Sequence, residues 1–170
     1  MYRDRSMATH RTVTGQSGAG YPGGLDPALR ESVAARLARG EQRLTSSREA
    51  LVAVLARSDR PLTIPEIAER DSGLAVSSVY RNLTMLEQVG VVHRVVTASG
   101  DFAHYELTED LTEHHHHHLI CSSCGSVEDF EATTQLEDSV HDAARRIARR
   151  SGFRIDRHLI DLIGLCPNCA

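Results

Sequence analysis

No stretch of the 170 residues is apolar for long enough to cross a bilayer, although 41% of the side chains are hydrophobic. The first residues also lack the apolar segment of a signal peptide. No membrane partner is therefore expected, and the cytoplasm is the expected compartment. Lysine is missing altogether: all 19 basic residues are arginine, which we attribute to coding composition and not to mechanism. Cysteine is confined to four positions in two Cys-x-x-Cys pairs. In a reducing compartment such pairs are metal ligands sooner than disulfides, two disulfides in an exported chain being the alternative. Nor is there a His-Glu-x-x-His sequence, a helix-borne pattern of zinc hydrolases. An enzyme with a small-molecule substrate is accordingly not expected; a zinc hydrolase and a DNA-free metal buffer are the readings from other classes.

What the chain does concentrate is ligand chemistry. Five consecutive histidines, His114 to His118, run through Leu119 and Ile120 into Cys121-Ser122-Ser123-Cys124, and Cys166-Pro167-Asn168-Cys169 closes the sequence. Four thiolates are the set a tetrahedral structural zinc site requires. With 41 residues between the pairs, a small domain lies inside the metal-closed loop and draws part of its stability from the ion. A histidine run also looks like an affinity tag, but tags sit at termini. If the run is extended, its side chains alternate between faces. His114, His116 and His118 then point one way, and His115 and His117 the other, feeding two separate metal sites.

The formal charge of −4 is unevenly spread: residues 25–96 carry ten arginines against nine acids, residues 97–170 six against thirteen. That polarity suits an anion-facing front and a cation-binding rear. Residues 1–24, rich in glycine, read as a disordered tail. Asp26-Pro27 opens a helix that Gly40 ends. A second helix starts near Thr45 or Ser46, with Ser46 and Glu49 as a capping box, and Thr63 with Glu66 opens a third. After the turn Asp71-Ser72-Gly73, a helix beginning at Ser77 or Ser78 places Val79, Leu83, Leu86 and Val89 inside. Two short helices around a tight turn make a helix-turn-helix, and two strands, from Val91 to Val96 and from Phe102 to Leu107, turn at Ser99-Gly100 and add a wing. Residues 25–107 are thus expected to form a winged-helix DNA-binding domain, residues 108–118 a hinge and metal-binding segment, and residues 119–170 a dimerisation domain. That last domain is expected to hold a strand over Val127 to Phe130, a helix over Leu136 to Arg150 and strand character over Phe153 to Leu165. The fold class is α+β.

A winged helix followed by a histidine-rich hinge and Leu-Ile-Cys-x-x-Cys-Gly resembles the ferric uptake regulator family. Val76-Ser77-Ser78-Val79-Tyr80-Arg81 is similar to its recognition-helix signature, Gly90-Val91-Val92-His93-Arg94 to the start of its wing, and Gly152 through His158 to Cys166 to its C-terminal spacing. The resemblance covers about residues 40–170. It implies a homodimeric, metal-dependent transcriptional regulator, usually a repressor, that binds palindromic double-stranded operators. By resemblance Tyr80 and Arg81, with Ser77 and Ser78, meet the major groove, and Arg43 reaches the minor groove. The resemblance also implies a sensing site of His93, Glu106, His116 and His118. A second site comprises His115, His117, His158 and a ligand from the C-terminal helix, for which Glu137, His141 or both are in reach. The structural zinc falls to Cys121, Cys124, Cys166 and Cys169. Two departures bear on the sensed ion. Arg60-Pro61-Leu62 offers no histidine where the iron and peroxide sensors draw one, and His93 stands where zinc-sensing members place a ligand. No cysteine is left for the sensing site, however. Zinc is the preferred regulatory ion, ahead of iron(II), with nickel, manganese and peroxide sensing as further alternatives.

Overall fold

The computed structural model describes residues 24–97, 103–112 and 115–170. The expected tail (all but Gly24), the wing turn at Ser99-Gly100, Phe102 and His114 fall outside the described residues. Helix α1 spans Pro27–Arg39 and begins on Asp26, whose carboxylate accepts from the amides of Ala28 (2.9 Å) and Leu29 (3.2 Å). Gly40 ends it, and glycine is required there by space: a Cβ would stand 2.6 Å from Val89 Cγ1. Helix α2, Ser46–Ala56, is capped by Thr45 and not by a Ser46–Glu49 box, because Glu49 turns instead to Arg30 at 2.9 Å. Strand β1, Leu62–Thr63, was not expected; two residues show no period, and it is defined only by pairing with a distant strand. Helix α3, Ile64–Arg70, opens on the Thr63–Glu66 capping box. Helix α4, Val76–Gln88, starts one residue earlier than the serines suggested, with Ala75 at the cap and no side-chain capping bond.

Strands β2, Val92–Val95, and β3, His104–Leu107, pair antiparallel, giving a sheet of order β1-β3-β2. Leu37, Leu51, Leu62, Ile67, Leu83 and Leu86 are fully buried between this sheet and the helices, so the front half owns the main core. This is a winged helix. A four-residue helix, α5 (Glu109–Thr112), occupies the expected polar hinge.

Behind it, β4 (His117–Cys121) is the centre of a second sheet, antiparallel to β5 (Val127–Phe130) and parallel to β6 (Asp161–Gly164). Strand character over 153–165 is thus confined to four residues. Helix α6, Thr134–Ser151, runs between β5 and β6 and ends at Gly152, whose φ of +74° is a left-handed conformation natural to glycine. None of its residues is buried. The rear core holds little beyond Ile120, Cys121 and Val127, while Ile147, Phe153 and Ile163 are 56%, 73% and 65% exposed. No helix among the described residues is long and apolar enough to cross a membrane.

Candidate metal centres

Among the described residues three groups of ligand side chains gather, two within the rear half and one between the halves, each with its ligand atoms within 4.8 Å of one another. The first is Cys121, Cys124, Cys166 and Cys169, brought together because β4 and β6 lie side by side and each runs into a Cys-x-x-Cys turn. Cys124 Sγ stands 3.7 Å from Cys166 Sγ, and no disulfide links the thiols. Zinc–sulfur bonds of about 2.3 Å in a tetrahedron put sulfurs about 3.8 Å apart, so the group fits zinc. Backbone amides of Cys124 and Cys166 donate to Cys121 and lower its pKa to about 6. Although Ser123 hydrogen-bonds Cys169, the thiols of Cys166 and Cys124 push it up to about 11. A bound cation would favour the thiolate at all four positions.

The second group joins the two halves: Glu106 from β3, His116 and His118 from the segment entering β4, and Asp129 from β5. His116 Nε2 lies 3.0 Å from Glu106 Oε2, and His118 Nε2 lies 3.3 Å from Glu106 Oε1. His118 is fully buried and its Nδ1 faces Asp161 at 3.2 Å, which leaves Nε2 for the centre of the group. Burial pushes Glu106 up, but hydrogen bonds from His116 and His118 outweigh it and hold the carboxyl down to about 2. Asp129 is the opposite case, raised to about 6 by burial, with a buried Oδ1 that no hydrogen-bond donor reaches. The other oxygen, Oδ2, lies 3.9 Å from His116 Nε2, and a carboxylate with a buried, unsatisfied oxygen beside this group is what a divalent cation would satisfy. His93 is paired with Glu106 across the β2–β3 ladder but lies outside the group. Asp129 stands in the fourth position because the β4–β5 register sets it opposite His118.

The third group is His115, His117, Glu137 and His158. Glu137 Oε1 is 2.8 Å from His117 Nε2, and its Oε2 lies 3.1 Å from His158 Nε2 and 3.5 Å from His115 Nε2. That Oε2 has no aligned hydrogen bond, again a gap a cation would fill. His141, one turn further along α6, is exposed and outside the group, its ring 5.2 Å from that of His158. His116 and His118 thus turn to one side, His115 and His117 to the other, although β4 itself begins only at His117. Asp129 and Asp161 were missed by sequence reasoning. Both are acids next to apolar strand residues, a signal too common to single them out.

The sequence model of the ferric uptake regulator family matches residues 39–163. The chain belongs to the ferric uptake regulator family. The ferric uptake regulation protein of Campylobacter jejuni is 31% identical over 139 residues, covering 78% of this chain and 83% of that protein. That of Bacillus subtilis is 29% identical over 132 residues, covering 75% and 85%. Among solved structures, the Helicobacter pylori ferric uptake regulator, described as having three functional metal binding sites, superposes with a TM-score of 0.63 at 25% identity, covering 84% of this chain and 91% of its own. A zinc-bound manganese uptake regulator superposes at 0.53 with 26% identity, covering 79% and 98%. Membership makes the chain a metal-responsive regulator and is consistent with its not being an enzyme. Tyr80 is 56% exposed, and Ser77, Arg81 and Arg43 are exposed too. Ser78 is engaged with Ser47 (3.3 Å) and Asn82 (3.2 Å), tying α4 to α2.

Proposed function

We propose that the chain is a cytoplasmic, homodimeric DNA-binding repressor whose affinity for a palindromic operator is set by a divalent cation at Glu106, His116, His118 and Asp129. The observation that carries this reading is the origin of those four ligands. Glu106 belongs to the wing, His118 and Asp129 to the rear sheet and His116 to the segment that leads into it, so an ion held there bonds the two halves to each other. Residues 25–107 are the DNA reader in this account, 108–118 the hinge, and 119–170 the dimer platform. The exposed apolar side chains of α6 and β6 support a second copy as their cover. Arg43, Ser77, Ser78, Tyr80 and Arg81 are the DNA-facing set. Tyrosine can pack on a thymine methyl, and arginine can grip phosphate or guanine. Zinc at the four cysteines is structural, and His115, His117, Glu137 and His158 form a further cation site.

For the regulatory ion, two carboxylates with two imidazoles and no thiolate form a harder set than one carboxylate with three imidazoles. That balance favours iron(II), as do the names of the ferric uptake regulation proteins of Campylobacter jejuni and Bacillus subtilis. A zinc-dependent repressor of metal-uptake genes is the second reading, favoured by His93 standing directly across the ladder from Glu106. The ion supplies Lewis-acid bonding to four fixed donors. Asp161 holds the His118 ring with Nε2 facing the centre, and Glu106 carries the pull to β3 and the wing. The ion must bind the closed arrangement more tightly than the open one for affinity to change.

The test is a mobility shift on a duplex selected from a random pool by metal-loaded protein, titrated in turn with iron(II), manganese and zinc. Chelator should abolish the shift, and His116→Ala at saturating metal should bind at least about tenfold more weakly, about 1.4 kcal/mol. Wild-type affinity in His116→Ala would remove this group from the switch.

A further inference from the structure

Helix α5 connects the third ligand group to the recognition helix by a path that does not pass through Glu106. Its first two residues face opposite ways. Glu109 Oε1 lies 2.9 Å from Nδ1 of His115 and accepts from the backbone amide of His116 at 3.4 Å. Asp110 receives the guanidinium of Arg36, which is largely buried and also donates to Thr108 Oγ1 (3.1 Å) and to the carbonyl of Gly90. Gly90 is the turn that ends α4, so one arginine clips α1, the end of the recognition helix and α5 together. On the other side, a carboxylate on Nδ1 leaves Nε2 of His115 to face His158 and Glu137, the arrangement in which an imidazole is oriented for a metal.

We propose that Glu109 and Asp110 form the coupling element by which cation occupancy of the His115, His117, Glu137 and His158 group is transmitted to the recognition helix. This rests on the reading of that group as a cation site. An ion there fixes the His115 ring; Glu109 follows the ring, α5 follows Glu109, and Arg36 draws the Gly90 turn with it. Glu109 and Asp110 are positioning residues, since neither is in the ligand group.

Hydrogen exchange on the full-length His116→Ala protein, purified with its cysteine site loaded, isolates this path from the Glu106 group and needs no DNA. Zinc or manganese is the added probe. The reporters are the amides of Val89, Gly90 and Val91, bonded to Met85, Glu87 and Leu86, and the amide of His118, bonded to Ile160 in the rear sheet. Metal should slow both sets in His116→Ala, by about fivefold or more at 89–91. With Asp110→Asn added, a change at a mostly exposed side chain, metal should still slow His118 but leave 89–91 unchanged; Glu109→Gln should do the same. A purely structural role would shift 89–91 equally with and without metal. Slowing of 89–91 in Asp110→Asn as in its parent, or slowing of His118 alone in the parent, overturns the coupling. No slowing anywhere overturns the cation site itself, and the coupling with it.

Discussion

Glu66 serves two partners, and its titration makes that visible. One oxygen accepts from the amide and hydroxyl of Thr63 at 2.8 and 2.7 Å, closing the cap of α3, while the other pairs with Arg60. Burial alone would raise its pKa, but Arg60 and Thr63 outweigh burial and hold it at about 2, below an ordinary 4.5. A carboxyl depressed on folding stabilises above its unfolded value, and the gain is lost as pH falls through the folded value. Glu66→Gln should therefore cost about 1 kcal/mol at neutral pH, a gap that shrinks in urea melts as pH falls from about 4.5 toward 3. A gap constant over that range would contradict the assignment. Gly40 is constrained by space alone, so Gly40→Ala should cost about 1–3 kcal/mol through its collision with Val89. Val89→Ala in the same protein should recover much of that loss in a thermal melt. If Gly40→Ala melts like the wild type, α1 and α4 do not approach that closely.

At the scale of elements, the front and rear halves hold together by different means. The winged helix has an extended apolar core, whereas the rear sheet buries little besides Ile120, Val127 and Cys121. Removing the ion from the cysteines, or changing Cys121 to Ser, should abolish protection of the β4 amides while α2 to α4 keep theirs in hydrogen exchange. A Cys121→Ser rear sheet as protected as the wild type would refute the structural role of the thiols. How legible each element was in the sequence follows from how local its cause is. Asp26-Pro27 and Thr63 with Glu66 are contacts within one turn, and the sequence pattern identifies them correctly. Alternation along the histidine run needs only an extended backbone, and from His115 to His118 the two faces are where the pattern puts them. β1 exists only through its pairing with β3, and Ser46 loses the cap to Thr45 because Glu49 is held by Arg30 from another helix. Asp129 depends on the register across the Ser122–Ser126 turn, which spacing does not fix; His93 shares a strand ladder with Glu106 yet stays outside the ligand group.

The whole molecule is a two-part device that the chain alone leaves with an uncovered side. Helix α6 contributes nothing to any core, and Ile147, on its apolar face, is 56% exposed. Ile147→Glu should convert a dimer to a monomer in sedimentation while leaving one zinc per chain at the cysteines; a dimer that persists would place the interface elsewhere. The claim that the two halves are bonded through a shared cation rests on Glu106, the one member of its group that the wing supplies. Its most direct test is the operator dissociation constant measured against free metal for wild type and Glu106→Gln. The account predicts that affinity rises at least about tenfold with metal in the wild type and stays flat in Glu106→Gln, with both proteins equally folded and dimeric. A Glu106→Gln protein whose operator affinity climbs with metal as the wild type's does would contradict it.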